Sequence, residues 1–393
     1  MYIKALPAEL LRKVLRHSVH ITGLLDTDWF ASQGPGQPGC VWTGWPTVTD
    51  LITLSPLSMK TRMSIILVCQ LWHRIGMEFL YECVRIRRQE DIPTLLAMFK
   101  VQVGQPPHAQ KGWWTKRVEV AIMVDRIHEV HLLSRLLKCY YNVQILSAPW
   151  RSFRPDGNPF YPLIPTIIHQ FRHSLRRMPL TIDHTSLLDT HTDWLQAISF
   201  QSLEIDITSP SSNSSIIDDG PNPTTIFATV TTLTLTLDAF NEEQIPWHFP
   251  QLQRLSLVTT GSNVYSFLRP FLYNHAATLI ILHIASADVV KDLSPALVPC
   301  VSLKELSLDH VELDRLSPTF ILPNVERLRI HVLPASNRIQ KLAQSLDDAL
   351  SGGILPNLRE VQVGGTYDRA NTSHIAILRL NCTKHCIELR LIN

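Results

Sequence analysis

Apolar and polar positions change their period several times along the chain, and each change predicts an element. Leucine or valine at 6, 10, 11, 14 and 15 recurs at the i, i+3 and i+4 spacing of one helix face, which predicts a short amphipathic helix over Leu6 to Leu15. Pro7 falls near its first turn, where a missing N–H costs nothing. Residues 31 to 58 carry neither period. Their ASQGPGQPGCVWTGWPTV run gathers glycine, proline and tryptophan and predicts a loop inserted between helices. Helical spacing returns at Met59, with apolar residues at 65, 68, 71, 72, 75, 79 and 80, enough for two short helices that lead into a strand-like Val84-Arg85-Ile86.

From about residue 115 short strands recur. LQRLSL from Leu252, LIILHI from Leu279, LKELSL from Leu303, VERLRI from Val325 and LREVQV from Leu358 each fit L-x-x-L-x-L. Weaker copies centre on Val118, Val143, Met178, Leu203 and Leu233. With Leu255, Leu282, Leu306, Leu328 and Val361 these mark ten units, and the 243 residues from Val118 to Val361 divide into nine steps of 27 on average. That lies within the roughly 20–29 residues of leucine-rich repeats. Residues 4 and 6 of such a unit leave a strand on the same side, so stacked units share one core that no unit could bury alone. The segments VYSFLRPFLYNHAATL and RIQKLAQSLDDALSGG have helical spacing and should cover the other side. Three residues past the last leucine, where such repeats usually carry Asn or Cys, stand Val311, Thr260, Leu333 and Thr366, so a regular asparagine ladder is not expected.

Composition agrees with a folded chain of more than one core, at 393 residues with 45% hydrophobic and 18% charged side chains. Glycine, at 15 residues, is too scarce to favour a phosphate-cradling fold. The net charge of +2 hides an asymmetry: residues 1–180 hold 22 Lys and Arg against 12 Asp and Glu, the remainder 14 against 22. The basic excess is spread over many segments, its densest cluster being Arg85, Arg87 and Arg88, so no nucleic-acid partner is expected. Seven scattered cysteines suit reduced thiols better than a disulfide framework. Charges run through the first sixteen residues and no stretch reaches membrane-helix length, so a cytoplasmic or nuclear protein without a membrane partner is expected.

Two segments together resemble the F-box of fungal, basidiomycete-type proteins that combine it with degenerate leucine-rich repeats. They are Leu6-Pro7-x-Glu9-Leu10-Leu11-x-x-Val14-Leu15 and Leu67-Val68-Cys69-x-x-Trp72-x-x-Ile75-x-x-x-Phe79-Leu80-Tyr81-x-x-Val84. The second is the more specific. The resemblance covers about residues 5 to 87, interrupted by an insertion at about 21–58 in which Val48 to Leu57 is the remaining candidate for the middle helix. It implies a small all-α F-box-like domain over 1–90 and a degenerate leucine-rich-repeat array over 91–393, an α+β multidomain chain whose second part is an α/β solenoid. It also implies that Leu6, Pro7, Leu10, Leu11, Val14, Leu15, Val68, Cys69, Trp72 and Ile75 contact the Skp adaptor of a cullin–RING ubiquitin ligase. Leu11, Leu15 and Ile75, with Leu71, fit the domain's own core at least as well.

Catalytic chemistry is not expected. Gly34 to Gly39 matches G-x-G-x-x-G in letters only, since it follows no strand and contains two prolines. Cys382, His385 and Cys386, and His169 with His173, come closest to metal ligands, yet neither group has a partner pair at zinc-finger distance. No metal or other cofactor is expected, and acid pairs such as Asp347-Asp348 suit solvated surface. What remains is a binding face. Positions 3, 5 and 7 of the strands share one side, which gathers Glu204, Asp206, Arg254 and Ser256 with His283, Glu305, Ser307 and Asp309. Arg327, Arg329, His331 and Glu360 extend it. A mixed-sign floor of this kind suits an unidentified protein substrate of the ligase; the alternative is a repeat scaffold that works without the ligase.

Overall fold

The structure is a computed structural model that describes residues 7–19, 25, 56–99, 106, 110–121, 127–147, 163–183, 195, 197–208, 225–237, 247–259, 265–285, 297–309, 322–331, 336–364 and 372–392. The chain divides into two compact units. The first comprises Met1–Ser32, Trp45–Pro179 and Asp193–Gln201, and the second Gln33–Gly44, Leu180–Thr192 and Ser202–Asn393.

The first unit begins with three helices, α1 (Ala8–Val19), α2 (Pro56–Ile66) and α3 (Gln70–Tyr81). Leu11, Leu15 and Val19, spaced four apart on α1, meet Ile65 of α2 and Ile75 and Phe79 of α3 in one small core, with Leu71 and Trp72 half-buried against it. Helix α1 starts after Pro7, whose carbonyl accepts the Leu11 N–H at 3.0 Å. Helix α2 begins three residues before Met59, at Pro56, whose ring presets the helical φ. Of the loop expected at 31–58, residues 56–58 are instead the first turn of α2, and 31–55 lie outside the described residues, as does most of the candidate middle helix Val48–Leu57.

Helices α2 and α3 approach closely at Gly76, where a Cβ would come within 2.7 Å of Ile66 Cγ2 and 2.9 Å of Ile65 Cγ2. Arg62 of α2 is buried and ties the helix ends together: its Nη1 donates to the Phe79 carbonyl at 3.0 Å and its Nη2 to the Val19 carbonyl at 3.1 Å. Burial lowers the pKa of this guanidinium. Its two bonds satisfy carbonyls that a helix C-terminus leaves without intrahelical donors.

Strands and helices then alternate through β1 (Cys83–Ile86), α4 (Asp91–Phe99), a 3₁₀ turn at Lys111–Trp114, β2 (Arg117–Val120), α5 (Ile127–Leu137), β3 (Ile145–Ser147), α6 (Ile164–Phe171) and β4 (Arg177–Asp183). Each strand pairs in parallel with the next, Val84 opposite Val118 opposite Leu146, and Ile145 opposite Arg177. The third unit's marker is therefore Leu146, not Val143. Both are fully buried apolar residues three apart, so the sequence fits either register, and Val143 takes the first position, where the chain enters the strand.

In the second unit the strands are β5 (Ser202–Thr208), β6 (Thr225–Ile226), β7 (Thr232–Leu237), β8 (Trp247–His248), β9 (Arg254–Thr259), β10 (Ile281–Ile284), β11 (Glu305–Asp309), β12 (Arg327–His331), β13 (Glu360–Gly364) and β14 (Glu388–Ile392). The order β5-β7-β9-β10-β11-β12-β13-β14 is parallel at every step, and β6 pairs with β8 alone. Leu203, Leu233, Leu255, Leu282, Leu306, Leu328 and Val361 stand in one row across these strands, as their spacing predicts. Two strands lay beyond the ten markers: β1, centred on Val84, and β14, centred on Leu389. Helices α7 (Tyr265–His275), α8 (Ser336–Ser351) and α9 (Thr372–Lys384) fill the crossovers before β10, β13 and β14. Ile339, Leu342, Ala343, Leu346 and Ala349 form the buried stripe of α8.

The fold is thus α/β with parallel strands, and one hydrogen-bond device recurs in both units. A carbonyl just before one strand accepts two successive N–H groups entering the next. Glu82 O receives Lys116 and Arg117 at 2.9 and 3.1 Å, Lys116 O receives Gln144 and Ile145 at 2.7 and 3.0 Å, and Gln144 O receives Arg176 and Arg177. Thr231, Gln253, Ile280, Lys304 and Glu326 continue the device in the second unit. Among the described residues no helix is long and apolar enough to cross a membrane.

His275, at the end of α7, is held neutral. Its Nδ1–H donates to the Phe271 carbonyl at 2.7 Å and its Nε2 accepts the Phe249 N–H at 3.1 Å, while burial, with His248 nearby, lowers its pKa below the ordinary 6.5. A histidine depressed in this way stabilises the fold fully above the unfolded pKa and loses that contribution as pH falls below it. Thermal unfolding of the wild type should therefore drop between about pH 7 and pH 5, and His275→Gln should flatten that dependence while lowering stability at pH 7. An unchanged pH profile in the variant would rule this group out.

Candidate functional site

The helical unit separates the residues that resemble an adaptor-binding segment into two sets. Leu10 and Val14 on α1 and Leu67 and Val68 between α2 and α3 are exposed, at 48, 56, 79 and 59%. Pro7 and Cys69 are exposed as well. Leu11, Leu15 and Ile75 sit inside the three-helix core and Trp72 packs half-buried on it, so these four support the face rather than form it. The burial alternative read from the spacing holds for Leu11, Leu15 and Ile75, because a 12-residue helix with one buried stripe can expose only the flanks of that stripe. Leu6 lies outside the described residues.

The strand face of the second unit lines up its positions 3 and 5 as the spacing predicts. Arg254, Ile281, Glu305, Arg327, Glu360 and Glu388 form one row, and Ser256, His283, Ser307, Arg329, Gln362 and Arg390 the next. Glu204 lies opposite Thr234 at the start of the face. Asp206, Asp309 and His331 hold their backbone places in β5, β11 and β12, but their side chains lie outside the described residues.

This face is already engaged with itself. Arg327 bridges two carboxylates, Nη1 to Glu305 at 2.7 Å and Nε to Glu360 at 2.9 Å. Arg329 reaches the other Glu305 oxygen at 3.1 Å, and Arg390 reaches Glu360 at 3.1 Å and Glu388 at 2.9 Å. Three guanidinium groups thus meet three carboxylates. Burial alone would raise the Glu360 carboxyl, but hydrogen bonds from Gln362 and Arg327 and the charges of Arg327 and Arg390 outweigh it and hold the pKa below its ordinary value. Burial likewise opposes the Arg327 charge, and the bonds to Glu305 and Glu360 more than restore it. The mixed-sign floor is a partly buried, internally neutral network, because the parallel register sets Arg327 between Glu305 and Glu360 on the two neighbouring strands.

Ser256 Oγ lies 2.8 Å from His283 Nδ1, a spacing that a nucleophile and its base also share. The two residues are only 4% and 1% exposed, which leaves a substrate no approach to the oxygen. Cys382 is buried, its thiol pushed up to about 11, whereas Cys386 is exposed with a left-handed φ of 59°. His385 faces Asp347 at 3.1 Å, alongside Lys384 on the same carboxylate. His173 accepts a hydrogen bond from Arg172 at 2.8 Å, and both His169 and His173 are exposed. Among the described residues no three His, Cys, Asp or Glu side chains are grouped to hold a metal ion, and the six described cysteines are free thiols.

Sequence reasoning passed over two groups. In the first unit the face positions are Arg85, Arg117, Glu119 and Arg177, with Arg85 and Arg117 at 3.3 and 3.7 Å from Glu119. Their Val118 pattern is weak, and the charges read as ordinary surface. The second group is the row Glu82, Lys116, Gln144 and Arg176, whose carbonyls carry the recurring hydrogen-bond device and whose side chains line a cavity of about 450 Å³. The shared register of the strands was the signal that could have found it. No protein-family model and no curated protein matches this chain.

Proposed function

We propose that the protein is a substrate-recognition subunit of an SCF-type cullin–RING ubiquitin ligase, in which the three helices form an F-box-like domain that docks the Skp adaptor. The alternating strands and helices form a degenerate leucine-rich-repeat solenoid that holds a target protein. The observation that carries this reading is the exposure of Leu10, Val14, Leu67 and Val68, with Met63 also exposed, beside a small core of Leu11, Leu15, Val19, Ile65, Ile75 and Phe79. Five large apolar side chains left in water on three short helices and the turn between two of them call for a partner surface.

Mechanism then consists of proximity. The protein forms and breaks no bond; it raises the concentration of its target beside a ligase assembled on the adaptor, with no cofactor of its own. The strand face of the second unit gives the target a neutral but patterned floor, in which Glu388, with its side chain 60% exposed, and Arg327 and Arg390, each 35% exposed, are reachable charges. Such a floor selects by matching polar groups in register rather than by net attraction. The expected setting is the cytoplasm or nucleus, where the adaptor resides.

Affinity capture of the tagged chain should retain the Skp adaptor and, through it, the cullin. A scaffold that binds targets without the ligase would retain neither while still retaining other proteins, and that result would overturn the proposal.

A further inference from the structure

We propose that the cavity at the N-terminal ends of β1–β4 is a second binding site, made for a short acidic peptide segment. Its floor is the row Glu82, Lys116, Gln144 and Arg176, and the side chains of Arg16, Glu78, Trp113, Trp114, Asn142 and His173 stand around it. At about 450 Å³ it is large enough for two or three side chains of an extended chain.

Charge decides the sign of the occupant. Glu78 is taken by Arg12 at 3.0 Å, and Glu82 lies between Lys116 at 2.9 Å and Arg16 at 3.4 Å. The Arg176 guanidinium donates to two neutral carbonyls, those of Ser199 and His173, so its charge adds to the site. Arg16, Lys116 and Arg176 line the space against Glu78 and Glu82, and with Glu78 already paired to Arg12 a surplus of positive charge remains in a partly enclosed space. The same two carboxylates disfavour a continuous phosphate backbone, whereas an isolated acidic side chain can settle by Lys116 and Arg176.

Aromatic surface decides the neighbour of that acidic group. Trp113 is exposed enough to be touched, its carbonyl held by Asn142 Nδ2 at 2.8 Å and its ring beside Tyr141. The turn that carries both tryptophans packs so closely that a Cβ on Gly112 would collide with the Cys139 carbonyl. A rigid aromatic wall beside cations fits an acidic residue next to a bulky apolar one.

The site is separate from the proposed adaptor face. On α1, Arg12 and Arg16 occupy one flank of the Leu11–Leu15–Val19 stripe, and Leu10 and Val14 the other. The inference therefore does not rest on adaptor binding.

Fluorescence anisotropy with the full chain tests it, using fluorescein-labelled acetyl-Gly-Glu-Leu-Glu-Gly-amide, a version with phosphoserine in place of the first glutamate, a lysine version, and an oligouridylate of similar length. The glutamate or phosphoserine peptide should bind, more weakly as salt rises, and the tighter of the two names the preferred acid. Lys116→Gln should weaken that binding about tenfold, and Trp113→Ala likewise, with both variants still folded at the assay temperature and adaptor retention unchanged. Equal binding of the lysine peptide, binding of the oligouridylate alone, or unchanged affinity in both variants would overturn the proposal.

Discussion

Arg62→Met lowers the stability of the first unit by about 3 kcal/mol. Two buried carbonyls, Val19 O and Phe79 O, lose charge-assisted donors at 3.1 and 3.0 Å. Each lost bond of this kind costs roughly 1.5–3 kcal/mol. Methionine keeps the apolar stem and removes a buried charge, so part of the loss is offset by desolvation no longer incurred. At roughly 2–4 °C per kcal/mol for a unit of this size, the unfolding temperature should fall by about 10 °C. Arg62→Lys should fall between the two, because one ammonium group cannot span both carbonyls as a planar guanidinium does. Calorimetry of the three proteins checks this, and a shift below about 2 °C for methionine would show that the carbonyls find other donors.

Gly112→Ala is expected to cost about as much, by a different route. The added methyl would overlap the carbonyl oxygen of Cys139 and lie 2.8 Å from its carbon and 3.4 Å from Tyr140 Cα. Those are backbone atoms of the segment that leads into β3, so neither side can yield by changing a rotamer. Relief requires the Lys111–Trp114 turn to move as a body, with an overpacking cost of about 3 kcal/mol. The move would carry Trp113 and Trp114 with it. Trp fluorescence should therefore shift toward a more solvated environment together with the fall in unfolding temperature. A stable variant with the wild-type emission spectrum would contradict the close approach at this glycine.

The strands of the second unit were legible because each unit repeats three apolar positions at fixed offsets. Leu255, Leu282, Leu306, Leu328 and Val361 stand opposite one another as their spacing requires. Legibility failed where that redundancy failed. Val143 and Leu146 are both apolar and three apart, so either could mark the third unit, and only pairing with Val118 selects Leu146. Strand β14 carries Leu389 and Leu391, but its first position holds Cys386, an exposed residue with left-handed φ, so no leucine announces the unit.

The candidate sites were legible in part. Position parity puts Glu305, Arg327 and Glu360 on one face, yet parity says nothing about how close neighbouring rows come, and the resulting ion pairs consume charges that the sequence leaves open. On α1 a leucine at 10 and a leucine at 11 look equivalent in the pattern. Only the packing of α2 and α3 decides that Leu11 is core and Leu10 is surface. Arg62 carries no signal at all in one chain, since a single arginine in an amphipathic helix reads as solvated until the helix ends it joins are known.

Adaptor affinity measured on surface and core variants tests the proposed function most directly. Purified Skp adaptor should bind the wild-type chain, and Leu10→Ser combined with Val68→Ser should weaken that binding at least about 30-fold, near 2 kcal/mol, with the unfolding temperature unchanged because both residues are exposed. An adaptor that does not bind the wild type, or that binds the double variant equally well, would contradict the account.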